Sequence, residues 1–131
     1  MIRESIIRRM RETRKSQRKV SDETGIEYTA VNTFLNNRKG MWFYRVQKIL
    51  DYVGLSAEGT IPSASSQTIQ TAAWMEMRVR KISVQDMATE LGVSYNTLNG
   101  FTCGKSGMSI DKVEELMERL DIRLLPNDRY K

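Results

Sequence analysis

An internal repeat is the feature that most constrains how this chain can fold. When the 131-residue sequence is shifted by 67 positions, it aligns with itself without a gap. The identities include these pairs: Gly25 with Gly92, Tyr28 with Tyr95, Asn32 with Asn99, Phe34 with Phe101 and Gly40 with Gly107. Apolar positions are also retained where identity is lost, as with Ile49 and Leu116. Such a repeat is typical of a duplicated structural unit, so two copies of one small domain are predicted.

The segment between the two copies has the composition of a linker. Residues 56–66 read SAEGTIPSASS and are rich in Ser, Ala, Gly and Pro, which is typical of flexible connections. We therefore predict a first domain at residues 1–55, a flexible linker at residues 56–66, and a second domain at residues 67–131 that ends in a short tail.

Each copy carries the hydrophobic period of four short helices. The pattern predicts helices at 4–13, 17–24, 28–36 and 43–53 in the first copy, and at 68–80, 84–91, 95–103 and 110–120 in the second. Ser16 and Ser83 stand where a side chain can cap a helix N-terminus. Gly25 and Gly92 stand where glycine can end a helix in the left-handed conformation. We expect an all-α fold made of two bundles of four to five short helices each.

A short helix, a glycine turn and a second short helix form the most informative stretch of each copy. In the second copy, Ala88 lies in the helix before Gly92, and Val93 and Leu98 follow the turn. A small residue before the turn lets the two helices cross closely, and bulky residues after it lock them together. The next helix then projects outward as a rigid probe whose diameter suits the major groove of DNA.

This stretch, with the loop at 104–106, resembles the phage-repressor (Xre/Cro-like) helix-turn-helix family. The match is closer in the second copy than in the first, where Ser21 replaces Ala88, and it does not cover the linker or residues 123–131. The resemblance implies two tandem lambda-repressor-like helix-turn-helix domains. It also implies a sequence-specific, double-stranded DNA-binding transcriptional regulator, expected to be a repressor, of bacterial, phage or mobile-element origin. The third helix of each copy would enter the major groove.

The resemblance further implies which side chains contact DNA. Base edges are read by the first turn and outward face of the third helix, whereas phosphates are held by the start of the preceding helix and by the following loop. The implied base-reading residues are Tyr28, Thr29, Asn32 and Thr33 in the first copy and Tyr95, Asn96 and Asn99 in the second. The implied phosphate ligands are Gln17, Arg18, Lys19, Arg38 and Lys39 in the first copy and Lys105 in the second.

Several of these side chains have a second interpretation. Asn32 and Asn99 also suit solvated helix positions, and the rings of Tyr28 and Tyr95 could pack on the neighbouring helix. Trp42 has a serine as its repeat counterpart, so it could be a local packing residue and not part of a stacking platform.

The two copies differ in charge. The chain carries a net charge of +5, and its first copy carries +6 from twelve Lys or Arg against six Asp or Glu, whereas the second copy has nine of each. Phosphate neutralisation supplies much of DNA affinity, so the first copy is expected to carry most of the electrostatic attraction. We favour DNA contact by both copies, with a flexible linker that bridges half-sites about 34 Å apart. A homodimer that pairs strands at 121–126 is an alternative.

Composition argues against several other functions. The chain has no histidine and a single cysteine, Cys103, which excludes Ser-His and Cys-His nucleophile pairs and any zinc cluster. We therefore expect no catalytic residue, metal or cofactor, and no enzyme. Neither a signal sequence nor an apolar run of the roughly 20 residues that span a bilayer is present, so a cytoplasmic, nucleoid-associated protein without membrane contact is expected.

Two other binding roles stay open. In an antitoxin-like or adaptor protein, the neutral second copy would bind a protein partner. An RNA or single-strand binder would need exposed aromatic side chains on a stacking platform, and the few aromatic residues here mostly suit a core.

Overall fold

The computed structural model describes residues 1–36, 40–62 and 65–130, which form eight short helices in two sets of four and a small two-stranded sheet. The first set is α1 (Ile2–Thr13), α2 (Gln17–Thr24), α3 (Tyr28–Leu35) and α4 (Phe43–Val53). The second set is α5 (Ile69–Val79), α6 (Val84–Leu91), α7 (Tyr95–Thr102) and α8 (Ile110–Arg119). Strand β1 (Leu55–Glu58) follows the first set, and strand β2 (Arg123–Pro126) with a 3-10 turn (Asn127–Tyr130) follows the second. The mostly helical prediction is confirmed, and the sheet departs from the all-α expectation.

Local signals in the sequence explain where the helices begin and end. The Ser16 hydroxyl accepts a hydrogen bond from Lys19 N at 3.1 Å, and α6 begins with an equivalent bond to Ser83, also at 3.1 Å. Gly25 and Gly92 end α2 and α6 with left-handed φ angles of 76° and 72°. Serine caps and glycine stops satisfy the backbone groups that a helix leaves free at its ends.

The repeat in the sequence is also a repeat in the backbone. Helices α2 and α6, and likewise α3 and α7, have bounds that differ by the same 67 positions. Left-handed residues recur at that offset: Arg14 has φ 57° and Lys81 has φ 56°, and Gly54 has φ 80° where Asp121 has φ 55°. Each copy therefore follows the same path through four helices and into a strand.

One continuous hydrophobic core underlies both sets of helices. Its fully buried members include Val31, Phe34, Val46 and Ile49 in the first copy and Leu98, Phe101, Val113 and Leu116 in the second. Phe43 of α4 meets Phe101 of α7 edge-to-face, with ring centroids 4.9 Å apart. The two copies are therefore packed against each other and are not merely joined in sequence.

The start of the predicted flexible linker is a strand. Strand β1 pairs with β2 in antiparallel fashion, and all four of its residues are buried. Ser56 also exchanges hydrogen bonds with Gln67. The small side chains of Ser56 and Ala57 resemble a linker in sequence, yet they allow close packing between α4, α5 and β2. The strand expected near residues 121–126 forms, but its partner lies in the same chain and not in a second one.

A buried carboxylate ties the chain after β1 to α5. Glu76, only 2% exposed, accepts hydrogen bonds from the amide (3.1 Å) and hydroxyl of Thr60 and from Arg80 Nε (3.0 Å). Burial alone would raise the pKa of Glu76, but the hydrogen bonds from Thr60 and Arg80 outweigh it and lower that pKa from 4.5. Glu76 therefore stays ionised and holds Thr60 in place.

The strand register defines an approximate two-fold axis. Ala57 pairs with Leu124, which is its own repeat equivalent. On one side of this pair the register ends with Leu55 opposite Pro126, and on the other side it ends with Glu58 opposite Arg123. The packing follows the same symmetry, because α5 contacts β1 while α1 contacts β2. Antiparallel pairing of equivalent strands about equivalent residues is the geometry of a symmetric dimer interface. Here one chain supplies both halves, and we call this relation the pseudo-two-fold axis.

Candidate nucleic-acid interface

Helix α3 has one buried side and one outward side. Val31, Phe34 and Leu35 fix the helix to the core. The opposite side carries the predicted base-reading residues Thr29, exposed, and Asn32 and Thr33, both half-buried. The Thr33 hydroxyl donates to the carbonyl of Thr29 at 2.9 Å, within the same helix. The outward face of α3 is therefore short, polar and rigidly held.

The first turn of α3 is supported by α2. The Arg18 guanidinium lies 4.8 Å from the centroid of the Tyr28 ring, a cation–π contact. Tyr28 remains 39% exposed, so the ring packs on the neighbouring helix and also faces solvent. The Asn32 oxygen accepts a hydrogen bond from Asn36 Nδ2 at 2.5 Å, and a carbonyl oxygen has a second lone pair for another donor.

Helix α7 presents the equivalent face in the second copy. Tyr95 is 46% exposed and Asn96 is exposed, whereas Asn99 is half-buried. The Asn99 oxygen accepts a weak bond from the Cys103 thiol at 3.8 Å. The residue equivalent to Arg18 is glutamine, so α6 supplies no cation over the Tyr95 ring. The two faces share their shape and amide chemistry but differ in charge.

The predicted phosphate ligands of the first copy cluster at one helix start. Gln17, Arg18 and Lys19 form the first turn of α2, and both cations are exposed. In the second copy, exposed Lys105 lies just after α7, where its amide donates to Gly100 O at 2.9 Å. Arg38 and Lys39, also predicted to hold phosphate, lie outside the described residues.

A basic recess adds cations beyond the phosphate ligands that were predicted from the sequence. It has a volume of about 540 Å³ and is lined by Arg11, Arg14 and Lys15 beside Gln17 and Asn36, with no acidic residue among its described lining. The spacing of these three cations at the corner between α1 and α2 was a signal visible in the sequence. They extend the positive surface next to the predicted phosphate ligands.

A groove of about 1070 Å³ lies between α3 and α7 and straddles the pseudo-two-fold axis. Its lining includes residues that are repeat equivalents: Met41 and Met108, Phe43 and Ile110, Arg45 and Lys112. Thr29 and Thr33 of α3 and Thr97 of α7 also line it. We call this feature, defined by these residues and Trp42, the central groove. The sequence did not predict it, because its walls come from both copies.

An aromatic pair stands at the rim of the central groove. Trp42 is 76% exposed, and its ring meets Tyr44 edge-on with centroids 6.5 Å apart. The Arg45 guanidinium lies 5.9 Å from the Tyr44 ring centroid. The Trp42 ring thus contacts Tyr44, yet most of its surface faces solvent. The missing aromatic at its repeat equivalent, Ser109, was the signal that it differs from a core residue.

The part of the chain that the structure describes contains neither a metal-binding cluster nor a membrane-spanning helix. Within residues 1–36, 40–62 and 65–130, no three His, Cys, Asp or Glu side chains come together as a metal-binding group. Over the same ranges, no helix has the length and apolar character needed to cross a membrane.

No protein-family model matches the chain, and neither the curated proteins nor the solved structures gave a significant match.

Proposed function

We propose that this protein is a sequence-specific double-stranded DNA-binding transcriptional regulator whose helices α3 and α7 enter the major groove. The observation that carries the proposal is the pseudo-two-fold axis, which relates two short helices with outward polar faces. Repressors of the helix-turn-helix class read DNA with such a pair of helices, because a two-fold symmetric protein matches inverted half-sites. In those repressors two chains form the pair, and here one chain supplies both helices.

The chemistry of the two faces supports this function. Asn32 and Asn99 can each pair with adenine through two hydrogen bonds, and the Thr33 methyl can contact thymine. Exposed Arg18 and Lys19 stand at the start of α2, where phosphate would lie. The charge of +6 in residues 1–55 supplies the long-range attraction that DNA binding requires.

The packing predicts the form of the operator. The Phe43–Phe101 contact and the strand pairing hold the two copies in one orientation, so the spacing between half-sites is fixed by the fold and not by a tether. We expect an inverted two-part motif with unequal halves, since the copies differ in charge and in side chains. Inserting a few base pairs between the halves should abolish high-affinity binding, whereas a flexible linker would tolerate the insertion.

Selection of binding sites from a random duplex library tests the proposal. Asn32→Ala should relax the motif at one half and Asn99→Ala at the other, each with a loss of about 1–3 kcal/mol. Glu118→Ala, which changes an exposed residue of α8, is the matched control and should leave the motif unchanged. Binding that is steeply salt-dependent but enriches no motif would contradict a specific regulator.

One observation favours the adaptor function as a second candidate. The outward side of α5 exposes Trp74, Met75 and Val79, whereas the positions equivalent to Met75 and Val79 on α1 are Arg8 and Glu12. Exposed apolar side chains at helical spacing are typical of a surface that a partner helix covers. If this is the role of the second copy, Asn99→Ala will leave the DNA motif intact, and the double variant Met75→Arg, Val79→Glu will abolish a protein complex.

A further inference from the structure

We propose that the central groove binds a small organic anion with an aromatic ring, and that this ligand competes with DNA. The ligand site stands on the groove alone. Only the competition rests on the proposed function, because Thr29 and Thr33 are both groove walls and predicted base-reading residues.

The shape of the central groove suits a small molecule. Its volume of about 1070 Å³ is close to the upper end of ligand sites, which run to about 1,000 Å³. The floor is apolar and buried, formed by Phe43, Met108 and Ile110. The groove also lies between two packed copies of one unit, a usual position for a ligand site.

The charge of the groove favours an anion. Arg45 and Lys112 line it, and none of its described lining residues is acidic. Lys112 Nζ is already engaged, because it donates to Leu91 O at 2.5 Å and lies 3.6 Å from a Glu115 oxygen. The Arg45 Nε donates only to the phenol oxygen of Tyr44, at 3.3 Å. Within the described residues Arg45 has no carboxylate partner, so its planar guanidinium is the group that would hold a carboxylate or sulfonate.

The apolar surface beside Arg45 favours an aromatic ring. Trp42 exposes most of its indole at the rim, and Met41 and Met108 line the groove beneath. Aromatic faces and thioethers both pack well against a ring. A ligand with its ring against Trp42 and its acid group on Arg45 would therefore cover apolar surface and also give the guanidinium an anionic partner.

Contact with a DNA duplex would explain the exposed side chains at the rim of the central groove, but it would not explain the apolar floor. A rigid duplex that lay across α3 and α7 would contact exposed rim side chains such as Trp42, and would leave the buried floor at Phe43 and Ile110 untouched. An apolar floor gives no advantage toward a phosphate backbone, which is held by cations and backbone amides. A small molecule is the occupant that uses both the floor and the cation.

The test uses anilinonaphthalene sulfonate, a fluorescent aromatic anion, titrated into the full-length chain. Trp42→Ser and Arg45→Gln should each weaken its binding by about tenfold or more, since each removes one of the two contacts. Trp74→Ser removes the exposed tryptophan of α5 and should leave the affinity unchanged. Phenylnaphthylamine, which lacks the sulfonate, should bind the wild type more weakly and should not respond to Arg45→Gln.

The probe titrations distinguish the central groove from a site on α5 and from a DNA contact. Loss of probe binding in Trp74→Ser instead of Trp42→Ser would place the site on α5 and overturn the proposal, as would equal affinity for the charged and uncharged probes. If Trp42→Ser impairs DNA binding while probe binding is unchanged, the rim is a DNA contact and the ligand site is wrong. Simultaneous binding of probe and selected duplex, with neither affecting the other, would overturn the competition. A chain that binds the probe as described but selects no DNA would retain the site and lose the proposed function.

Discussion

The first and second copies follow the same backbone and present different surfaces. Both begin their second helix with a serine cap and end it with a left-handed glycine, and both lead into a strand. Outside the core they diverge: the first copy carries a charge of +6 and the second is neutral. Packing and turn geometry restrict the buried residues of both copies, so the duplication could keep its fold while each surface acquired its own role.

The residues that precede α4 and α8, at the rim of the central groove, show how the two surfaces differ. In the second copy, Ser109 caps α8 by accepting a hydrogen bond from Lys112 N at 3.4 Å. In the first copy the equivalent residue is Trp42, which gives α4 no side-chain cap and is largely exposed. A serine cap contributes about 1 kcal/mol to helix stability. The first copy therefore has an exposed aromatic side chain at the helix start where the second copy has a serine cap.

The largest effect is expected from the contact that joins the two copies. Phe101→Ala should lower the free energy of unfolding by about 3–5 kcal/mol, because it empties a buried site against Phe43. Urea unfolding can follow each copy separately, since Trp42 is the tryptophan of the first copy and Trp74 that of the second. Each single-tryptophan background, Trp42→Phe or Trp74→Phe, reports on one copy. Phe101→Ala should lower the urea midpoint by the same amount in both backgrounds.

Separate unfolding transitions for the two copies would contradict this prediction. If Phe101→Ala shifts only the Trp74 signal, the two copies unfold independently, and the shared core does not couple them. The fixed half-site spacing of the proposed operator would then lose its basis.

A smaller effect is expected at the carboxylate that has no counterpart in the first copy. Glu76 corresponds to Arg9, and Glu76→Gln should cost about 1.5–3 kcal/mol at neutral pH by weakening bonds to Thr60 and Arg80. Because the pKa of Glu76 is lowered from 4.5 in the folded state, its contribution is present above about pH 4.5 and is lost as the pH falls through the folded pKa.

The pH dependence separates this residue from ordinary surface acids. Unfolding measured between pH 7 and pH 3 should show a shallower acid loss of stability in Glu76→Gln than in the wild type. Glu118→Gln, on the exposed side of α8, is the control and should keep the wild-type slope. An unchanged slope in Glu76→Gln would mean that Glu76 is not held in the charged form by Thr60 and Arg80.

The two serine caps should contribute equally, which sharpens the claim that the copies share one architecture. Ser16→Ala and Ser83→Ala each remove a 3.1 Å bond to a helix amide, and each should cost about 1 kcal/mol. Thermal or urea unfolding measures both. A loss at one site alone would show that the equivalent helix starts differ in energy despite their common geometry.

The smallest effect is expected from exchanging one surface residue between copies. Arg18→Gln should reduce the slope of log affinity against log salt by about 0.9, the value for one phosphate contact, and Gln85→Arg should raise it by a similar amount. The measurement is DNA binding at several salt concentrations, with the selected duplex. No change for either variant would mean that the start of α2 and the start of α6 lie away from phosphate.

Much of the local structure could be predicted from the sequence. Hydrophobic period and capping residues placed all eight helices within one or two residues of their observed bounds, for example α2 at Gln17–Thr24 and α6 at Val84–Leu91. These signals are local, since a helix start depends on a few neighbouring side chains. The outward position of Asn32 and Asn99 followed from the same period, whereas their contact with DNA stays a prediction.

Only the tertiary structure decided how the two copies meet. Residues 56–58 belong to the segment with the composition of a linker, and nothing local indicates that the strand at 55–58 pairs with residues 123–126 about the Ala57–Leu124 pair. Strand pairing depends on which distant segment supplies the partner, and small side chains favour close packing as readily as flexibility. The central groove arises from the same docking of the two copies. The sequence by itself determined two equivalent helical units, and long-range packing determined that they form one symmetric body.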